Sequence, residues 1–151
     1  MKICHVMLCM NPGGAERVVS ILSDKWIKKG HDISIILLVG DEWPVFYDLN
    51  KKIKLYKLNV FKKSNNFLEA IKINFKRLSG LRNKIKEINP DLIISHCPRE
   101  IALTYISTLS LKYPIYGYIH SDLSYWFHEL NFEKSLFWKL SEYISFSLIQ
   151  K

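Results

Sequence analysis

The apolar residues of this chain come in short blocks and helical stripes that alternate from one end to the other. Lys2 to Cys9 (KICHVMLC) is a brief apolar run suited to a buried strand, broken by Asn11, Pro12, Gly13 and Gly14. From Ala15 to Lys29, Val18, Val19, Leu22, Trp26 and Ile27 recur with helical spacing, and Gly30 follows where a helix C-terminus favours glycine. His31 to Val39 predicts a second buried strand, and Ile53 to Leu58 (IKLYKL) alternates apolar and basic residues as an edge strand does. Phe67 to Ile88 is the longest helix expected. Its apolar stripe runs through Phe67, Ile71, Phe75, Leu78, Leu81, Ile85 and Ile88, and Asn89-Pro90 ends it. Asp91 to His96 predicts a short buried strand, Arg99 to Leu111 a helix, Ile115 to His120 a strand, and Phe132 to Ile149 a last helix.

Strands alternating with helices imply parallel strands joined by right-handed crossovers. The expected fold is therefore α/β: a Rossmann-like, doubly wound, mainly parallel sheet with helices on both faces. Such sheets take ligands at the carboxyl ends of their strands, which places the segments after Cys9, His96 and His120 on the binding rim. Residues 1–151 read as one such domain. The last helical pattern carries no glycine or proline stop, so the pattern predicts a continuation beyond Lys151.

Composition narrows the class. Hydrophobic residues make up 48% and charged residues 24%, which excludes a disordered or fibrous chain. The longest aliphatic run, Ile33 to Val39, is far too short to span a bilayer, and no secretory leader pattern precedes it. Cys4, Cys9 and Cys97 are odd in number and form no C-x-x-C pair, which argues against a disulfide framework and a zinc site. A cytoplasmic protein is the expectation. The net charge is +8, and its distribution is uneven: residues 51 to 88 hold twelve basic residues against Glu69 and Glu87. That stretch carries all the excess.

Asn11-Pro12-Gly13-Gly14 is the best local signal for chemistry. Two glycines between strand and helix let the backbone approach a ligand, and the helix offers unpaired N–H groups and its positive dipole end to a phosphate. Neither G-x-G-x-x-G nor a P-loop is present, so spacing alone allows a ligand-free tight turn equally well.

With its neighbours the turn becomes specific. NPGGAERVV (Asn11 to Val19), the Lys29-Gly30-His31 step, Pro90-Asp91-Leu92-Ile93-Ile94-Ser95-His96 and Tyr118-Ile119-His120-Ser121-Asp122 occur in an order that resembles family-four retaining glycosyltransferases. These are GT-B enzymes with two Rossmann-like domains, and the resemblance covers nearly the whole chain. It implies the N-terminal, acceptor-side half of such an enzyme, which transfers a sugar from a nucleotide sugar to a lipid-linked or other cell-envelope glycan.

It also implies roles. Gly13 and Gly14 would lie against the donor diphosphate and acceptor, with Glu16 and Arg17 as the motif's charged pair. His120 would face the donor sugar near the reacting centre as the catalytic group, or else be a hydrogen-bonded strand-end histidine. His96, Arg99 and Asp122 would lie near donor or acceptor. No metal or cofactor is expected beyond the nucleotide-sugar co-substrate. The nucleotide-binding domain, with its Glu-x7-Glu motif, is not in these residues: no glutamate has another eight positions on.

The basic stretch adds a second expectation. Lys72, Lys76 and Lys86 flank the apolar stripe of the long helix, with Arg77, Arg82 and Lys84 alongside. They would dock on an anionic membrane surface or grip an acceptor diphosphate, against the plainer reading of a solvated helix. A non-catalytic membrane-docking subunit paired with a separate donor-binding domain is the alternative function. Nucleic acid is not expected as a partner, because no recognition-helix or aromatic-interleaved pattern accompanies the charge.

Overall fold

The computed structural model describes residues 1–61 and 66–120. Five strands and three helices alternate: β1 (Lys2–Met7), α1 (Gly14–Lys28), β2 (Asp32–Leu37), β3 (Lys54–Lys57), α2 (Phe67–Ile88), β4 (Leu92–His96), α3 (Pro98–Thr108) and β5 (Ile115–Tyr118). All pairings are parallel and the sheet order is β3-β2-β1-β4-β5. That is the doubly wound order, with β1 central and the winding direction reversing between β1 and β4. The Ile53–Leu58 segment forms the edge strand its alternation predicts. The last predicted helix, 132–149, lies outside the described residues.

Strand alternation sorts β1 between two cores. Ile3 and Met7 face α1, packing with Val19, Ile33, Ile35 and Leu37 and with the partly buried Trp26 and Ile27. Cys4 and Val6 face the other way, against Leu81 and Ile85 of α2 and Leu103 of α3. Helices thus cover both faces. The β2–β3 crossover has no helix; instead Trp43, Val45, Tyr47 and Leu49 turn every second side chain onto the α1-side core.

Local chemistry sets the element ends. Gly30, at φ +83°, closes α1 in a Schellman arrangement: its N–H bonds to the Ile27 carbonyl at 2.9 Å and the His31 N–H to Trp26 at 3.0 Å. Asn66 caps α2, its side chain accepting the Glu69 N–H at 2.9 Å, and Asn89 ends α2 at φ +46° before Pro90. Gly117 of β5 sits under Ile101 of α3, and a Cβ there would lie 2.8 Å from Ile101 Cδ1.

The long stripe of α2 is only half buried. Leu81 and Ile85 are sealed in the core, whereas Phe67, Ile71 and Phe75 are 79%, 51% and 73% exposed among the described residues. The 3.6-residue period marks the face of a helix; it does not say how much of that face another element covers.

Candidate functional site

The carboxyl ends of β1 and β4, where the sheet reverses, carry the predicted motifs. After β1 the chain runs through Leu8–Pro12 to Gly13, the N-cap of α1, in extended conformation at φ −171°. Gly13 is held from the β2–β3 crossover. The Tyr47 hydroxyl accepts its N–H at 3.1 Å and donates to its carbonyl at 2.7 Å, while the Phe46 N–H bonds to the Met10 carbonyl at 2.9 Å. Among the described residues no side chain caps α1, so its first turn offers N–H groups to the rim. Glu16, one turn in, lays its carboxylate beside Gly13, where any Cβ would collide with it.

β4 ends at His96, and Cys97 leads directly into α3. Cys97 takes φ +67° and ψ 150°, a region nearly confined to glycine, and its N–H bonds to the Tyr118 carbonyl at 2.9 Å. Pro98 follows at the first helical position, where no N–H is needed. The rim therefore gathers two helix N-termini, α1 and α3.

His120 joins them two residues past β5. Its Nε2 lies 2.8 Å from His96 Nδ1, and Tyr118 packs on its ring at 4.7 Å. Burial lowers the His120 pKa, and the nearby Glu16 charge works in the opposite direction. Glu16 also raises the pKa of the Cys9 and Cys97 thiols, behind the larger effect of burial, which with its neighbours takes Cys97 to about 11. The Glu16 carboxylate beside Gly13 and the bonded His96–His120 pair thus both lie at the carboxyl rim of the sheet. The buried or half-buried cysteines are poor nucleophiles there.

The other predicted residues are placed differently. Arg17 is exposed on α1. Arg99 pairs with the buried Glu100, and its guanidinium lies 4.7 Å from the Phe61 ring centre. Arg77 approaches the same ring at 5.4 Å and donates from Nε to the Val60 carbonyl at 2.9 Å. These two cations and the walls Leu38, Val60, Leu103 and Ile106 line a small hollow beside α3. Arg82 is tied into the fold: its Nη1 donates to the carbonyls of Ser107 and Leu109 at 2.8 and 2.9 Å. Lys84 pairs with Glu87 at 2.6 Å and lies over Tyr56. Lys72, Lys76 and Lys86 remain exposed, the first two beside the uncovered apolar half of α2. Asp122 lies outside the described residues.

Sequence reasoning missed His5, Tyr47, Phe61 and Glu100. His5 is a polar residue in an otherwise apolar strand and could have been flagged on that ground; Tyr47 sits in a stretch whose period-two burial, Trp43 to Leu49, was legible. Among the described residues no group of three His, Cys, Asp or Glu is arranged to hold a metal ion. No helix among them is long and apolar enough to cross a membrane.

Comparison with known proteins follows the same lines. The family model described as Glycosyltransferase Family 4 matches residues 12–149. A curated protein of Campylobacter jejuni subsp. jejuni serotype O:2 is 30% identical over 125 residues, 83% of this chain and 34% of its own length. Its name is GalNAc-alpha-(1->4)-GalNAc-alpha-(1->3)-diNAcBac-PP-undecaprenol alpha-1,4-N-acetyl-D-galactosaminyltransferase. Among solved structures, the apo lipopolysaccharide outer core galactosyltransferase WaaB superposes with a TM-score of 0.66 at 17% identity, over 83% of this chain and 35% of its own. Sucrose-phosphate synthase from Thermosynechococcus elongatus superposes with a TM-score of 0.56 at 11% identity, over 87% and 36%. The chain spans about a third of each of these proteins. The structural matches share its parallel, Rossmann-like α/β fold.

Proposed function

Because this chain belongs to Glycosyltransferase Family 4, we propose that it is the acceptor-side half of an enzyme that moves a sugar from a nucleotide donor to a lipid-linked or other cell-envelope glycan. The anomeric configuration is retained and no metal takes part. The observation that carries this reading is the convergence of the uncapped α1 N-terminus and the His120 imidazole at the carboxyl rim of one parallel sheet. The name of the Campylobacter relative, with its PP-undecaprenol acceptor, supports the acceptor class.

Each part then has a task. The free amides of Gly14 to Glu16, with the helix dipole behind them, hold diphosphate oxygens. His120 stands at the reacting sugar and orients a hydroxyl there. Rate enhancement comes from positioning two substrates and from fixed dipoles aimed at the negative charge growing on the leaving diphosphate. The nucleotide is held by a donor-binding domain outside this sequence, so this chain alone binds acceptor and transfers nothing.

Docking uses the outer half of α2. Phe67, Leu68, Ile71 and Phe75 form an exposed apolar face with Lys72 and Lys76 beside it, which suits the surface of an anionic leaflet. The enzyme then works on the cytoplasmic face of the cell membrane as a peripheral protein. The same face serves the second reading, a non-catalytic docking subunit with a separate donor-binding partner.

The test is an assay of the chain with and without a donor-binding domain, using nucleotide sugars and an undecaprenyl-diphosphate-linked glycan. Transfer only when both halves are present is expected. Turnover by the 151-residue chain alone would overturn the division of labour.

A further inference from the structure

Three imidazoles stand in file from the middle of the sheet to its rim. His5 Nδ1 lies 2.9 Å from His96 Nε2, and His96 Nδ1 lies 2.8 Å from His120 Nε2. The ring centres lie 5.2 and 5.1 Å apart, so the rings meet edge to edge through these nitrogens, and Trp26 of α1 stacks on His5 at 5.5 Å. The sheet fixes this spacing: His5 pairs with Ile94 in the β1–β4 register, two residues before His96 on the same face, and His96 pairs with Tyr118 of β5.

His5 is fully buried and His96 nearly so, and burial pushes their pKa values down to about 4 and about 3. Both are neutral near pH 7. A neutral imidazole has one donor nitrogen and one acceptor nitrogen. Two such bonds in series leave only two arrangements. Either every ring is protonated on Nδ1 and the bonds run outward from His5, or every ring is protonated on Nε2 and they run inward.

The inner end decides between them. His5 Nε2 is buried without a hydrogen-bond partner among the described residues. In the inward arrangement that atom is an N–H stranded in the core; in the outward one it is a bare lone pair. Stranded buried N–H groups are the rarer of the two in folded proteins. The outer end agrees. The Glu16 charge acts on His120 in the direction that favours an added N–H, and among the described residues Nδ1 is the ring nitrogen not engaged with His96.

We propose that this file holds His120 in its Nδ1–H form, with His96 as the positioning residue and His5 as its anchor, so that the rim presents a hydrogen-bond donor to the ligand. Because Nε2 of His5 leads nowhere, the file does not conduct protons; it selects a tautomer. Its use in sugar transfer rests on the reading of His120 given above. A donor suits an oxygen gaining negative charge, and His120 in this form takes no proton from an acceptor hydroxyl through Nδ1.

The tautomer is measurable without any ligand. In the 151-residue chain labelled with 15N-histidine, long-range 1H–15N correlation at neutral pH distinguishes the protonated from the bare ring nitrogen. A protonated Nδ1 and bare Nε2 at His120 are expected. A protonated Nε2, or an even mixture, would overturn the proposal. His96→Phe keeps an aromatic ring at that position but removes the donor to His120, and should return His120 to the mixed tautomers of a solvated imidazole. An unchanged His120 in folded His96→Phe would refute the positioning role, and if that variant does not fold, the wild-type spectrum decides. Neither readout involves sugar or acceptor. A failure of acceptor binding therefore leaves this result intact, and the wrong tautomer leaves the transferase reading intact.

Discussion

The Tyr47 hydroxyl bonds both polar groups of Gly13, accepting from its N–H at 3.1 Å and donating to its carbonyl at 2.7 Å. One side chain of the helix-free crossover thereby fixes the turn from which α1 starts. Removing the hydroxyl strands two half-buried backbone groups, and each lost bond costs about 1 kcal/mol. Tyr47→Phe is expected to lower the urea-unfolding free energy by roughly 1–2 kcal/mol. Amide exchange should speed up at Gly13 and the first turn of α1, with the rest of the sheet unchanged.

Acid sensitivity follows from the buried histidines. His5 and His96 fall from 6.5 to about 4 and about 3 through burial, helped at His96 by its two histidine neighbours. The folded values lie below the unfolded one, so the unfolded chain takes up protons that the fold refuses as pH drops. Their contribution is complete above about pH 6.5 and drains away toward roughly pH 4, at up to ~1.4 kcal/mol per pH unit for each histidine. Glu100, raised by burial, opposes this at the low end of the window. Urea midpoints should be level from about pH 8 to 7 and fall steeply between about 6 and 4. Replacing both histidines by phenylalanine should flatten that fall.

Gly117 and Ile101 form a contact with no spare room. An added Cβ at Gly117 meets Ile101 Cδ1 at 2.8 Å and Cγ1 at 3.2 Å. Gly117→Ala should therefore destabilise by roughly 1–3 kcal/mol, the usual range for overpacking. Ile101→Ala should cost stability on its own through a cavity. Combined, the two should cost less than their sum, a coupling that thermal unfolding of the single and double variants reads directly.

The basic residues of α2 divide into two kinds. Lys72 and Lys76 face solvent beside exposed Phe75 and Ile71, whereas Arg82 bonds two carbonyls at the end of α3. Each surface cation is worth roughly 1 kcal/mol near an anionic leaflet, so Lys72→Ala with Lys76→Ala should weaken binding to phosphatidylserine vesicles by about thirtyfold at low salt. Arg82→Ala should instead lower the melting temperature and leave vesicle binding within about twofold, since its guanidinium is spent on the fold.

The order of elements was legible because local signals agreed: alternating blocks, glycine at 30, Asn89-Pro90, and a basic alternation that marked β3 as an edge. The rim was legible through Gly13 and His120, which follow strands, and His96, which ends one. Long-range contacts were not. Arg77 and Arg82 read as surface charge because their carbonyl partners lie 17 to 27 residues away in sequence, and nothing local announces such a bond. The exposed half of α2 escaped for the converse reason: periodicity describes the helix and not its neighbour. His5 looked like one polar residue in a strand, and only the β1–β4 register brings it to His96.

The central claim is that the start of α1 and His120 face one ligand. Its most direct measurement is a titration of the 15N-labelled chain with a soluble short-chain prenyl-diphosphate sugar, followed by amide and histidine-ring resonances. Saturable shifts are expected at Gly14, Ala15, Glu16 and the His120 ring. No saturable shift at those positions, or shifts gathered at Asp32 and Asp91 on the opposite ends of the strands, would contradict it.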